Sequence, residues 1–554
     1  MSSVNINFKW AECVSNIIAD MGIQCICICP GSRNTPLTLA FTKNLKFDCS
    51  SHIDERSASF FAMGISKKSN IPSVIISTSG TAVANFFPSV IEASLSKTPL
   101  IVITADRPSH LVDTGENQTI NQQNIFSSYV RKFEDLGLPG EQNNLDEKIR
   151  SLVDIANGGS SLPPGPVHIN VPFDEPLIDD ISGDTMKNSV NVERGPIQTG
   201  YPSFEVPDLD GSVIVCGQMQ GRDDCEKILN LSEHLKAPVL ADPTSNIRYY
   251  KNHQNIISSY NLFLKDIDFQ PKNIIRFGRK PTSKLLCQIL RNHDRVFYVD
   301  RYERFNDDSN YQINSDISHF ADSIITGSSP IGDNENLTTM ISLQEKINPF
   351  INAIHFNDYR CEGALINNIL HSLDRESNIF IGNSMAIREM DDLSANLDKQ
   401  INIYANRGAS GIDGLVSTAL GVACSDDKNI NIAILGDLSF YHDMNGLLNA
   451  KKMNLNMKFV VLNNNGGGIF SNMDIAKLNY SRFEEFWTTP LNLDFKKIAD
   501  LYNLEYSQIN SEADLSRLNE DSQRAVILEY KIDIGESIKN KERIVEEVRA
   551  LVNS

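Results

Sequence analysis

The chain has no GxxxxGK[ST] and no GxGxxG following an apolar run, so the usual phosphate-loop and dinucleotide fingerprints are missing. Nor does it have an apolar stretch near the ~18 residues that span a bilayer. Its longest apolar runs, such as PLIVITA (99–105) and INIAIL (430–435), are the length of strands. Positive charge is scarce: 51 Lys plus Arg stand against 70 Asp plus Glu, a net charge of −19, which leaves no footprint for nucleic acid or an anionic membrane. Small molecules and other proteins are the expected partners. Ten cysteines in 554 residues are too few for a disulfide framework. Cys25, Cys27 and Cys29 alternate along one face of an apolar run and read as buried thiols rather than metal ligands. Lys9 and Glu12 interrupt the only apolar stretch near the N-terminus, so no secretory leader is expected and the cytoplasm is the expected compartment.

What is present is an ordinary globular composition, 41% apolar and 22% charged, in a chain long enough for several domains. Short β-rich runs alternate with helix-like segments. They are CICIC before Pro30, SVIIST, LIVITA and VHINV, then SVIVCG, APVLAD, NIIRFG and RVFYVD, then NIFIGNS, NIAILGD, FVVLNNN and AVILEY. This rhythm predicts α/β architecture built on mostly parallel sheets. Helices are expected from Thr35, with Pro36 in the first turn, and after Gly80-Thr81. Three blocks result, 1–185, 195–350 and 355–554, with the polar stretch 181–210 as a linker.

Two strand ends carry oxygen ligands. AILGDLSF ends a strand at Asp437, and FVVLNNNGGG ends another at Asn463-Asn464-Asn465-Gly466. Parallel neighbours deliver such residues to one edge of a sheet. A carboxylate, an amide oxygen and a carbonyl from the glycine turn suit Mg²⁺, which keeps few protein ligands and takes phosphate oxygens besides. In the first block Glu55 precedes a helical apolar face of Ala58, Phe61, Ala62 and Ile65. Taken alone, Asp54 and Glu55 would only compensate the helix dipole.

The pairing of GDLS with NNNGGG resembles the thiamine diphosphate signature, with Leu438 where that pattern has a third glycine. Longer segments are more specific: CPGSRNTPLTLAF, HIDERSASFFAMGISK, the ADRP and DTGENQTI stretch, GPVHINVPFDEPL, GNSMAIRE, NRGASGIDG and NNNGGGIF. Together they resemble the 2-succinyl-5-enolpyruvyl-6-hydroxy-3-cyclohexene-1-carboxylate synthase family of menaquinone biosynthesis across most of the chain. The resemblance implies a transferase with pyrimidine-binding, central and diphosphate-binding domains. It joins a succinyl-semialdehyde equivalent, made by decarboxylating 2-oxoglutarate, to isochorismate. It further implies thiamine diphosphate with Mg²⁺, or Mn²⁺, held between the subunits of a homodimer or homotetramer.

Residue by residue, the resemblance assigns Glu55 to the aminopyrimidine and Ile412 to the wedge that bends the cofactor. Gly436, Asp437, Leu438, Ser439, Asn464 and Gly466 fall on the diphosphate, with Asp437, Asn464 and Gly466 on the metal. Ser32, Arg33, Arg107, Asn117, Gln118 and Lys284 match the isochorismate side. Ser384, Arg388 and Arg407 match the succinyl carboxylate, and Phe470 a wall of the site. Guanidinium groups suit two dianionic substrates because each makes paired hydrogen bonds to a carboxylate. Asn34, Tyr441 and Leu285 depart from the commoner residues without removing a role. His52 reads as a structural histidine at a strand end. Two other readings stay open at this point: a thiamine enzyme acting on pyruvate, and a scaffold that has lost its chemistry.

Overall fold

The computed structural model describes residues 5–140, 144–178 and 208–554, apart from the single positions 220, 331, 427, 479 and 523. Most of the expected linker therefore lies outside the described residues. Among the described residues, eighteen strands form three six-stranded sheets. The first holds β1 (Cys25–Ile28), β2 (Asp48–Ser51), β3 (Ser73–Ser77), β4 (Leu100–Asp106), β5 (Lys132–Asp135) and β6 (Pro166–Pro172), in the order β2-β1-β3-β4-β6-β5. The second holds β7 (Ser212–Cys216), β8 (Val239–Ala241), β9 (Ile256–Ile257), β10 (Asn273–Phe277), β11 (Val296–Asp300) and β12 (Tyr311–Asn314), in the order β12-β11-β10-β7-β8-β9. The third holds β13 (Ser377–Ile381), β14 (Ile401–Tyr404), β15 (Ile430–Gly436), β16 (Lys458–Asn463), β17 (Glu505–Gln508) and β18 (Val526–Lys531), in the order β14-β13-β15-β16-β18-β17.

Neighbouring strands are parallel throughout the three sheets. The first and third sheets share one connectivity, while the second has the order of dinucleotide-binding folds without their glycine motif. In β3, β4 and β6 every residue is buried, as helices on both faces of a parallel sheet require. In the first and third sheets the strand order reverses beside the first strand, between β1 and β3 and between β13 and β15. Such reversals open a crevice at the carboxyl ends of the strands, where ligands bind.

By packing, the described chain divides into two compact units. One comprises 1–198 with 406–426 and 442–453; the other comprises 199–405, 427–441 and 454–554. Within the first, the helix Glu55–Ser69 lies against the helix Leu415–Cys424 with almost no side chain between their backbones. A Cβ on Gly421 would stand 2.1 Å from the Phe61 carbonyl oxygen, and one on Gly64 would stand 2.1 Å from that of Thr418. Glycine is demanded at both positions by this approach. Within the second unit, one apolar core runs under the second and third sheets and takes in Ile544 and Val548 of the C-terminal helix Ile534–Asn553.

Gly421→Ala is expected to destabilise the chain by about 1–3 kcal/mol through overpacking, despite the ~1 kcal/mol that alanine gains over glycine in a helix. Urea denaturation checks this, and an unchanged midpoint would show that the two helices do not meet as closely as described.

Candidate active site

In the first unit, Glu55 opens the helix Glu55–Ser69, whose N-cap Asp54 accepts from the Ser57 amide at 3.1 Å. Its neighbours are pinned. Asn445 donates to Asp54 at 3.1 Å, Arg56 donates to the His442 carbonyl at 2.7 Å, and the Ser57 hydroxyl donates to Asp443 at 3.1 Å. Asp443 also accepts from the Ser417 amide at 2.7 Å, and burial pushes its carboxyl up to about 6. The Glu55 carboxylate itself makes no hydrogen bond or ion pair among the described residues. It is a half-buried acid on a fixed helix end, with its own bonding capacity unspent.

At the carboxyl ends of β1, β3 and β4 the same unit gathers several of the predicted residues. Arg33 is 4% exposed and donates to the Phe173 carbonyl at 2.9 Å and to Glu175 at 3.3 Å. Its pKa is lowered by burial and then by the charge of Arg107. Arg107 follows β4 and donates to the Asn117 carbonyl at 3.2 Å, while Gln118 and Ser79 exchange two hydrogen bonds of 3.0 Å. The Nε atoms of Arg33 and Arg107 are both buried without a partner. Two mutually repelling guanidinium groups with donors left over make a site for an anion. Ser32 is exposed beside them, its carbonyl accepting from the Thr35 hydroxyl at 2.7 Å.

The NRGASGIDG loop belongs to this unit too. Glu92, 3% exposed, accepts from the amides of Gly408 at 2.8 Å and Ala409 at 2.7 Å. One buried carboxylate thus clamps the turn that carries Arg407 and leads to Ile412, which is 39% exposed although apolar. Sequence reasoning missed Glu92, Asp443 and Glu362. The signal for the first was a single acid inside the apolar helix Phe87–Leu95.

In the second unit, β15 and β16 are neighbours, and their ends meet through Asp437. Its Oδ2 accepts from the Gly466 amide at 2.7 Å and its Oδ1 from the Leu438 amide at 2.8 Å, while burial raises its carboxyl to about 6. Gly466 has φ +140°, and a Cβ there would stand 2.1 Å from the Thr488 carbonyl, so only glycine closes this turn. Asn464 donates its amide nitrogen to Glu362 at 3.2 Å, and its Oδ1 is buried with no partner. Leaving such an oxygen unsatisfied costs roughly 1–3 kcal/mol unless a ligand meets it. A buried carboxylate whose ionised form lacks a cation, an unsatisfied amide oxygen and the open space beside Gly436 are what a metal diphosphate would use. Leu438 is half-buried and Ser439 buried in the short helix that Asp437 begins.

Across the β13–β15 reversal, Ser384 follows β13 with φ +65°, and Arg388 lies one turn later on the helix Met385–Leu393 with its guanidinium on the Ser384 carbonyl. Phe470 is half-buried in the turn Gly468–Asn472. Lys284 is exposed at the first position of the helix Lys284–Asn292, where the dipole disfavours a cation. The predicted residues thus fall into two sets. Ser32, Arg33, Glu55, Arg107, Asn117, Gln118, Arg407 and Ile412 lie in one unit, and Lys284, Ser384, Arg388, Gly436 to Ser439, Asn464, Gly466 and Phe470 in the other.

His52 is 1% exposed, bonded to Ser50 at 2.7 Å and packed on Phe61; burial pulls its pKa down to about 4, as suits a neutral core histidine. Burial raises the thiols of Cys27 and Cys29, the reverse of what a metal-binding thiolate needs.

Comparison with known proteins adds to this geometry. Residues 8–125 match the family described as thiamine pyrophosphate enzyme, N-terminal TPP binding domain, and residues 395–530 match its C-terminal TPP binding domain. A 2-succinyl-5-enolpyruvyl-6-hydroxy-3-cyclohexene-1-carboxylate synthase of Bacillus velezensis is 39% identical over 88% of this chain and 87% of its own. One from Staphylococcus epidermidis is 34% identical over 96% of both. The crystal structure of benzoylformate decarboxylase from Polynucleobacter necessarius superposes with a TM-score of 0.70 at 14% identity, covering 95% of this chain and 98% of that one, which shows a common fold.

Replacing Glu92 with Ala is expected to speed hydrogen exchange at the Gly408 and Ala409 amides by about 10–100-fold, since each loses a bond to a charged acceptor worth roughly 1.5–3 kcal/mol. Exchange followed by mass spectrometry reads this directly. Unaltered protection would mean that the loop is held by something other than the carboxylate.

Proposed function

The chain belongs to the 2-succinyl-5-enolpyruvyl-6-hydroxy-3-cyclohexene-1-carboxylate synthase family, and from that premise we propose the reaction and the roles of its residues. The enzyme is a thiamine diphosphate-dependent transferase of menaquinone biosynthesis. It decarboxylates 2-oxoglutarate and adds the remaining four-carbon unit to isochorismate, releasing CO₂. The observation that carries the cofactor site is the unsatisfied Oδ1 of Asn464 at the end of β16, beside the β15 end where Asp437 is bonded to Gly466.

Asp437, the Asn464 Oδ1 and the Gly466 carbonyl would hold Mg²⁺, or Mn²⁺, with Gly436, Leu438 and Ser439 lining the diphosphate. When bound, thiamine diphosphate supplies the acidic carbon that attacks a 2-oxo acid and takes up the charge left by decarboxylation. Glu55 holds a proton against N1′ of the aminopyrimidine, a task suited to a carboxyl with no other partner. Ile412, an apolar side chain left in solvent, supports the cofactor's bent form. Ser32, Arg33, Arg107, Asn117, Gln118 and Lys284 bind the isochorismate carboxylates, and the unpartnered Nε atoms of Arg33 and Arg107 favour this assignment. Ser384, Arg388 and Arg407 bind the distal carboxylate of 2-oxoglutarate, with Phe470 as a wall that excludes water.

The proposal divides the chain into a pyrimidine-binding region at 1–185, a central region at 195–350 and a diphosphate- and metal-binding region at 355–554. It takes a homodimer, or a pair of dimers, with Glu55 of one subunit serving cofactor held by another, and places the enzyme in the cytoplasm. No helix among the described residues is long and apolar enough to cross a membrane.

The decisive experiment follows isochorismate absorbance with purified protein, thiamine diphosphate and Mg²⁺. Loss of isochorismate is expected only when 2-oxoglutarate is added, and pyruvate is not expected to replace it. No loss in protein that binds the cofactor would defeat the reading. Glu55→Gln is expected to retain cofactor binding by calorimetry and to lose at least ~10²-fold in turnover. Full activity in that variant would remove the proton-holding role.

A further inference from the structure

The end of β16 is braced from outside the loop that carries it. Asn464 presents its Nδ2 to Oε1 of Glu362 at 3.2 Å, and Glu362 is 6% exposed at the start of the helix Glu362–Ser372. The other carboxylate oxygen, Oε2, accepts from the hydroxyl of Ser537 in the C-terminal helix Ile534–Asn553. One turn after Ser537, Lys541 donates to Glu389 at 2.8 Å and lies 2.9 Å from Asp392, anchoring the same helix face that buries Ile544 and Val548. Glu362, Glu389, Ser537 and Lys541 line a cavity of about 120 Å³ that reaches Asn464, Gly468 and Asn472.

An ionised carboxylate only accepts hydrogen bonds, so it fixes which way an asparagine amide faces. With Nδ2 committed to Glu362, Oδ1 is turned to the opposite side, where it is buried and unpartnered. Gly468 leaves room for that orientation, since a Cβ there would stand 2.7 Å from Nδ2. We infer that Glu362 is a positioning residue for the metal site: it sets the Asn464 amide so that Oδ1 faces the cation, and Ser537 ties that setting to the C-terminal helix. The inference rests on the metal reading of Asp437, Asn464 and Gly466 given above. Supporting groups of this kind typically tune metal affinity by ~10–100-fold without touching the ion.

The test measures Mn²⁺ affinity of the full-length protein in the presence of thiamine diphosphate, from the electron paramagnetic resonance of free Mn²⁺. Glu362→Leu is expected to weaken binding by ~10–100-fold. Glu362→Gln, whose amide oxygen still accepts from Asn464, is expected to stay within about threefold of the unaltered protein, and Ser537→Ala to fall between them. Circular dichroism melts of the unliganded variants accompany the titrations, and if the leucine variant does not fold, the glutamine and alanine variants decide. Unimpaired binding by folded Glu362→Leu overturns the inference while leaving the metal site intact, and so does Glu362→Gln binding as weakly as the leucine variant. A failure of the unaltered protein to bind Mn²⁺ with thiamine diphosphate defeats the metal reading and the inference with it.

Discussion

Parallel strand pairing decides where this protein's chemistry sits. A parallel ladder sends all strands of a sheet in one direction, so every carboxyl end falls on one edge, and helices must return the chain across the faces. Apolar side chains fill β3, β4, β6, β15 and β16 because those faces are covered. The polar side chains given a role stand beyond the strand ends, whereas Thr104, His168 and Asn170 inside β4 and β6 are buried and bonded to one another. Arg33 and Arg107 appear directly beyond β1 and β4, Ser384 beyond β13, and Asp437 and Asn464 beyond β15 and β16.

What makes those ends usable is a set of buried carboxylates that spend their bonding on protein. Glu92 holds the amides of Gly408 and Ala409, Asp443 joins Ser57 to the Ser417 amide, and Glu362 joins Asn464 to Ser537. Each is nearly inaccessible; Glu362 bonds Asn464 itself, while Glu92 and Asp443 bond residues close in sequence to Arg407 and Glu55. Charge-assisted hydrogen bonds are shorter and roughly twice as strong as neutral ones, so a buried acid with two donors holds both in place. The groups assigned to ligands show the opposite condition. Glu55, the Nε atoms of Arg33 and Arg107, and Oδ1 of Asn464 are left without partners among the described residues. Rigid support beside unsatisfied donors and acceptors is the arrangement that preorganised binding calls for.

The central four strands of each sheet were legible as apolar runs bounded by turns, and so were the helix starts at Thr35 and Glu55. The edge strands were not: β2, β5, β9, β12, β14 and β17 lie at the outer positions of the three sheets. An edge strand has one neighbour and a half-exposed face, so sequences such as DCSS, KFED and EYSQ carry no continuous apolar signal. The motif residues were legible because short segments such as PGSR, GDLS and NNNGGG put their polar groups at strand ends. Glu362 and Asp443 carried no comparable signal, because their importance comes from partners 102 and 386 residues away.

The sequence by itself determined the α/β class, the alternation that makes the sheets parallel, and which polar side chains follow the strand ends. These are local properties, set by apolar periodicity and by which residues follow each strand. Tertiary structure alone decided which acids are supports and which remain free, since that depends on whether a distant amide or hydroxyl reaches the carboxylate. It also decided that Gly64 and Gly421 must be glycine, because only the crossing of two helices far apart in the sequence brings a carbonyl oxygen to where a Cβ would stand.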